Sequence, residues 1–331
     1  MYYAHKQTKF IYKVVREYRN ADGSPMVQLV RVSDGAGPIP MSVEALNQYY
    51  EGASTETQEA KEESTLGVLT EPKYSMDDLV LPEEVREELL LGLAQASNAK
   101  KIAEAFGKSR FQKTTLNFHG APGTGKTMSA HAVADALGKP LYIADYASLR
   151  SKWHGETAKN LKQMFAEAKE LGAVLFLDEA DTLLSSRVEG GGSEIGEALN
   201  HEKNVFMQEL DRFDGVILMA TNLFGNYDQA LNRRIARHIS FPMPDPSARA
   251  RILEKLLGTR HTVDLVDASL MSEDMGGGDL DKAVENAQVR AFSRNPENPT
   301  VTHEDLIVEI ERVRRGKIDQ GLVQKRRKIG L

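Results

Sequence analysis

The stretch "FHGAPGTGKTMS", Phe118 to Ser129, satisfies the pattern G-x-x-x-x-G-K-[ST]. It follows a short apolar run, Thr114 to Phe118, and opens a segment of helical character reaching about Gly138. Glycines let successive backbone N–H groups wrap an anion, and a helix N-terminus already favours negative charge. In that context Gly120, Ala121, Pro122, Gly123, Thr124, Gly125, Lys126 and Thr127 read as a cradle for nucleotide phosphates. Lys126 is suited to neutralise the β- and γ-phosphates, and Thr127 to offer its hydroxyl to Mg²⁺. A glycine-rich turn that happens to carry Lys-Thr is the plain alternative. The flanking strand and helix argue against it.

Two more apolar runs end in polar residues of the right kind. "AVLFLDEAD" delivers Asp178 and Glu179 at the end of a buried strand, and ligands of open α/β sheets sit at such carboxyl ends. Asp178 would hold Mg²⁺, largely through water. Glu179 would orient and deprotonate the attacking water, because in-line hydrolysis needs a base beyond the γ-phosphate. "GVILMATN" brings Asn222 to a third strand end, where an amide accepts from the water and donates toward the γ-phosphate without a carboxylate's repulsion. Each acid or amide alone would pass for a loop residue. Together with the glycine loop they imply nucleotide hydrolysis.

Those residues need a sheet to gather them. The runs "TTLNF", "LYIA", "AVLFL", "GVILMA" and "HISF" alternate with stretches of helical period, the pattern of a parallel sheet with crossover helices. In "TAKNLKQMFAEAKELG", Leu161, Met164, Phe165 and Ala168 share one helical face and Gly172 marks the stop. Beyond Pro244 strand signals cease, and three helical stretches imply a small helical domain. Upstream, "KFIYKVVREYRNADGSPMVQLVRV" reads as a hairpin around Ala-Asp-Gly-Ser-Pro. A segment rich in Ser, Thr and Glu follows. The expected organisation is a small β-rich module over residues 1–51, a flexible linker over 52–72, a large α/β domain over 73–245, and a helical lid with a basic tail over 246–331. The fold class is thus a P-loop α/β sheet with flanking helices, a helical lid and an N-terminal β module.

Composition sets outer bounds. The 331 residues include no cysteine, which excludes disulfides and thiol chemistry and fits a reducing, cytoplasmic setting. No run of about 18 uncharged apolar residues suggests a membrane span. A net charge of −6 gives no global pull toward nucleic acid, although the tail "QKRRKIGL" is locally basic.

The order "GAPGTGKT", "KWHGET", "LFLDEAD", "MATN", "ALNRRIARHISFPMPD" and "GGGDL" resembles the AAA ATPases. The likeness is strongest to single-ring members such as katanin and spastin and to small prokaryotic members of the sporulation type, and it runs from about Tyr74 to Gly316. It implies that Arg233 and Arg234 are arginine fingers reaching the nucleotide of a neighbouring subunit, so that the chain forms a homo-oligomeric ring, usually a hexamer. The family's Pro-Gly between the halves of this segment is absent, and the choice between the two arginines stays open. Gly278 stands where some relatives place a sensor arginine, which leaves sensing by the lid to backbone and packing. The resemblance also makes "SKWHGET" the first pore loop. Trp153, the single tryptophan, would grip an extended polypeptide, Gly155 would let the loop move, and Lys152 and His154 would make the channel positive. "SRVEGGGSEIGEALNH", residues 186–201, matches the second pore loop. The implied partners are protein substrates drawn through the pore. Any degradation would need a separate peptidase or adaptor, and nucleic acid is not expected, although a loader, initiator or transposition regulator on the same fold is the alternative.

Overall fold

The computed structural model describes residues 2–5, 11–19, 24–31, 39–43, 45–46, 50–53, 66–107, 113–146, 157–185, 194–222, 225 and 227–319. They fall into two compact units, Met1–Leu66 and Gly67–Leu331. The first is a five-stranded antiparallel sheet of β1 (Tyr2–His5), β2 (Ile11–Arg19), β3 (Pro25–Arg31), β4 (Ile39–Ser42) and β5 (Tyr50–Ala53), in the order β4-β3-β2-β1-β5. β2 and β3 pair antiparallel from Tyr12 opposite Arg31 to Arg19 opposite Pro25, the hairpin expected around Ala-Asp-Gly-Ser-Pro. Tyr12, Val27, Leu29 and Leu46 form its core.

The second unit is built on a six-stranded sheet. Its strands are β6 (Val68–Thr70), β7 (Thr114–Gly120), β8 (Leu141–Asp145), β9 (Val174–Asp178), β10 (Val216–Thr221) and β11 (Arg237–Phe241), in the order β11-β7-β10-β9-β8-β6. β7 to β11 run parallel, and β6 joins the edge antiparallel to β8. β6 lies within the stretch that the composition assigns to a linker. There the apolar pair Val68–Leu69, too short for a period, finds an open strand edge.

The central strands β9 and β10 are almost wholly apolar and buried, because both faces of the sheet are covered there. Helices α1 (Glu83–Ala105), α2 (Lys126–Ala136), α3 (Thr157–Glu170), α4 (Asp181–Leu184), α5 (Glu194–Arg212) and α6 (Gln229–Asn232) complete this part. Leu116, Phe118, Val133, Phe176, Leu218 and Ile239 meet in one core. Leu161, Met164, Phe165 and Ala168 of α3 are all buried, and Phe165 packs against Phe206 and Phe213 with ring centroids 5.8 and 5.5 Å away. Removing such a ring typically costs about 3–5 kcal/mol. α3 stops where Gly172 turns left-handed at φ 62°.

After β11 the chain forms α7 (Pro246–Leu257), α8 (Leu265–Met271), α9 (Gly277–Arg294) and α10 (His303–Asp319). Asp245 caps α7 by accepting from Ala248 N at 2.7 Å, with Pro246 in the first turn, and Asp264 caps α8. Leu253, Ala283, Val284, Leu306 and Ile310 make a separate apolar core. Two-residue strands β12 (His261–Thr262) and β13 (Val301–Thr302) also pair there in parallel. No strand is expected beyond Pro244, and these are too short to leave a periodic signal. No helix among the described residues is long and apolar enough to cross a membrane.

Candidate active site

β7 ends at Gly120, and the chain turns over Gly123 at φ 75° and Gly125 at φ 98° before α2 begins at Lys126. Gly120 sits so close to the neighbouring strand that a Cβ would lie 2.2 Å from the Phe241 carbonyl oxygen. A side chain is therefore excluded at the start of the loop. Thr124 Oγ1 donates to the Ala121 carbonyl at 2.8 Å and stiffens the same turn.

Lys126 is 9% exposed and its ammonium is surrounded by acceptors. It donates to Gly120 O at 2.7 Å, Ala121 O at 2.9 Å and Asn222 Oδ1 at 3.0 Å. Burial pushes its pKa down, while the Asp178 and Asp181 carboxylates hold it up. Two of its acceptors belong to the loop itself and the third to the end of β10.

Thr127 Oγ1 donates to Asp178 Oδ2 at 3.2 Å, so the loop and the end of β9 meet through a hydroxyl and a carboxylate. These are hard oxygen donors of the kind Mg²⁺ selects, and it commonly keeps several waters and substrate phosphates as its remaining ligands. Among the described residues no cluster of three or more His, Asp or Glu side chains forms an all-protein metal cage. The pair therefore fits a cation held mainly by substrate and water.

Glu179 has a left-handed backbone, φ 51°, and an exposed side chain. A non-glycine residue in that region costs about 1–3 kcal/mol and persists where its surroundings impose it. Its own N–H donates to Asp178 Oδ1 at 2.9 Å, and the next N–H, Ala180, donates to Ala220 O at 2.9 Å. Both bonds hold the bend between β9 and α4.

One residue that a reading of the strand ends leaves unassigned is central to this corner. Asp181 Oδ1 accepts from the Asn222 N–H at 2.9 Å and from the Thr221 hydroxyl. It thereby fixes the β10 end that offers Asn222 to Lys126. Its signal in the sequence is the final acid of "DEAD", two residues beyond Glu179.

Arg233 and Arg234 follow α6, whose first turn is capped by Asp228 accepting from Ala230 N at 2.8 Å. The two side chains differ. Arg234 makes a two-pronged ion pair with Asp211 of α5, Nε–Oδ1 2.9 Å and Nη2–Oδ2 2.8 Å, and donates to Ala230 O at 2.7 Å. The hydrogen bond holds the Asp211 carboxyl below and the Arg234 guanidinium above their ordinary ranges. Arg233 is exposed and has no side-chain hydrogen bond or ion pair with the described residues. Lys152, Trp153, His154 and Gly155 lie outside the described residues, as do residues 186–193 of the second glycine-rich loop and the basic tail.

The geometry has known counterparts. Residues 116–243 match the family described as "ATPase family associated with various cellular activities (AAA)". The chain is 29% identical over 241 residues to the meiotic spindle formation protein mei-1 of Caenorhabditis elegans, covering 70% of this chain and 50% of that protein. It is 36% identical over 174 residues to spastin of Naegleria gruberi, covering 49% of this chain and 32% of that protein. It thus spans half of the first of these relatives and about a third of the second. The crystal structure of the FIGL-1 AAA domain superposes with a TM-score of 0.59 at 25% identity, covering 78% of this chain and 90% of that one. With the phosphate loop, the acidic strand end and the strand-end asparagine in one corner of a parallel sheet, residues 116–243 match the AAA family, and over this region the chain resembles katanin and spastin.

Proposed function

We propose that this chain binds and hydrolyses ATP within a homohexameric ring and uses the cycle to remodel protein substrates by drawing polypeptide through the central pore. The observation that carries the chemistry is the convergence of three strand ends on one cation and one hydroxyl: Lys126 Nζ to Asn222 Oδ1 at 3.0 Å and Thr127 Oγ1 to Asp178 Oδ2 at 3.2 Å. Backbone N–H groups of residues 121–126 and the Lys126 ammonium bind the phosphates. Thr127 and Asp178 would hold Mg²⁺, which when bound offsets the charge of the phosphate oxygens. Glu179 takes the proton of the attacking water, and Asn222, steadied by Asp181, orients that water.

The two arginines support the assembly reading. A guanidinium bridges phosphate oxygens through a rigid fork and stays charged. Arg234 is already committed to Asp211, whereas Arg233 is exposed and available to a nucleotide on the next subunit. Arg233 is therefore the direct finger and Arg234 the residue that anchors its backbone. Trp153 and its neighbours Lys152, His154 and Gly155 grip the substrate, and the setting is cytoplasmic.

Mixed rings test the arrangement. An inactive Arg233→Ala variant combined with an inactive Glu179→Gln variant should regain ATPase activity at interfaces that pair an intact finger with an intact base. No recovery, with mixed rings verified by mass, would place Arg233 within its own subunit's chemistry. For the mechanical step, Trp153→Ala should hydrolyse ATP while failing to unfold a tagged protein substrate; retained unfolding would remove Trp153 from the grip.

A further inference from the structure

The lid touches the phosphate loop through a turn made of glycines. Gly276 is the N-cap of α9, and a Cβ on it would lie 2.8 Å from Gly123 O, 3.0 Å from Gly123 C and 3.3 Å from Pro122 O. Gly278 N donates to the same Gly123 carbonyl at 3.4 Å. Gly123 is one of the two left-handed glycines on which the loop turns. Backbone thus meets backbone here, with no side chain to absorb a displacement.

What fixes the turn comes from the other end of the lid. Lys317, in the last turn of α10, donates to Asp279 Oδ2 at 2.6 Å and to Asp274 O at 3.1 Å. Asp279 Oδ2 in turn accepts the Gly276 N–H at 2.9 Å. Asp274 is itself left-handed at φ 63°, a conformation rarely adopted outside glycine. Lys317 therefore grips both sides of the bend: the strained residue before it and the carboxylate that caps α9 after it. The ion pair is largely sheltered, with side-chain exposures of 19% and 25%. Through it a charge on α10 is joined directly to the capped glycine turn.

We propose that Lys317 and Asp279 are positioning residues for nucleotide binding: by pinning the turn from Asp274 to Gly278 against Gly123, the last turn of α10 sets the shape of the phosphate loop. This rests on the ATP-binding reading above. It gives the lid control of the loop without the sensor arginine that Gly278 replaces. It also makes the end of α10 a lever on nucleotide affinity.

The test measures binding of a fluorescent ADP and steady-state ATPase on the full chain, with melting temperature recorded without nucleotide. Lys317→Met and Asp279→Asn should weaken ADP binding and raise KM by about five- to tenfold, the usual size of a coupling between sites, with kcat held within about twofold. Asp279→Asn keeps an oxygen for the Gly276 N–H, so the cap survives while the charge is lost. Lys317→Arg should restore affinity, since it preserves the ion pair. Gly276→Ala, which drives a methyl onto Gly123 O, should give a loss of at least about tenfold. Wild-type ADP affinity in Gly276→Ala or Lys317→Met, or a lower melting temperature with affinity unchanged, would overturn the proposal. A wild-type chain that binds no nucleotide would overturn the function it rests on, and this inference with it. A wild type that binds while all variants match it would overturn this inference alone.

Discussion

Lys126 and Arg233 are both cations suited to phosphate chemistry, yet the chain treats them in opposite ways. Lys126 is buried and has three acceptors from its own chain within 3.0 Å. Arg233 is exposed, while its neighbour Arg234 is held by Asp211. The phosphate corner is finished within one subunit, so its precision comes from strand ends and loop glycines. On the proposed reading, the arginine segment is completed by the nucleotide of a neighbouring subunit. An exposed guanidinium beside a clamped one is the arrangement on which the proposed shared site rests.

The sharpest way to break this contrast is to remove each arginine singly. Arg233→Ala should lower kcat by about 10³, the usual worth of an arginine finger, with no change in melting temperature. If Arg234→Ala gives the larger kinetic loss and Arg233→Ala gives none, the assignment of the two is reversed. On the buried side, Lys126→Met leaves Asn222 Oδ1 and two loop carbonyls without their donor and should weaken ATP binding by about 10² or more. Near-normal binding would show that the glycine loop alone suffices. Glu179→Gln separates binding from chemistry in the same corner, and should hold ATP normally while turnover falls about 10²-fold. Equal loss of binding would make Glu179 part of the cradle.

Smaller effects refine the picture. Asp211→Ala breaks a partly exposed pair and should cost roughly 1 kcal/mol, a fall in melting temperature of about 2–4 °C. Because it frees Arg234, its ATPase activity should drop as well. The smallest effect expected is in pH. Burial lowers the pKa of His119, His131 and His238, with the Lys126 charge adding to it at His119, Lys73 at His131 and His119 at His238. Each binds its proton more readily when unfolded, so stability should be full above about pH 6.5 and decline as pH falls from there toward the depressed folded values. A melting temperature that stays level from pH 7.5 to 5.5 would contradict this. His131→Gln should flatten the decline in part.

Much of the phosphate corner is legible in the amino-acid sequence. Asp178 and Asn222 stand at the ends of apolar runs, Lys126 and Thr127 follow a third run through the glycine loop, and a parallel sheet sends those ends to one edge. The division of labour between Arg233 and Arg234 is not legible there. It depends on Asp211, 22 and 23 residues upstream on a different helix, where local spacing carries no signal. Asp181 is hidden for another reason: it reads as one more acid after a strand until the fold sets it beneath the Asn222 N–H.

Short-range patterns suffice for the parallel sheet, the helical lid, the phosphate loop and the AAA resemblance, because each is written in apolar runs of strand length, helical periods, or glycines at fixed offsets. Packing alone makes β6 close an edge within the stretch that composition gives to a linker, clamps Arg234 while leaving Arg233 exposed, and carries Lys317 across the lid to the turn on Gly123. Those contacts join residues far apart in the chain, and they form where the fold brings a donor and an acceptor within about 3 Å, a condition that no local pattern records.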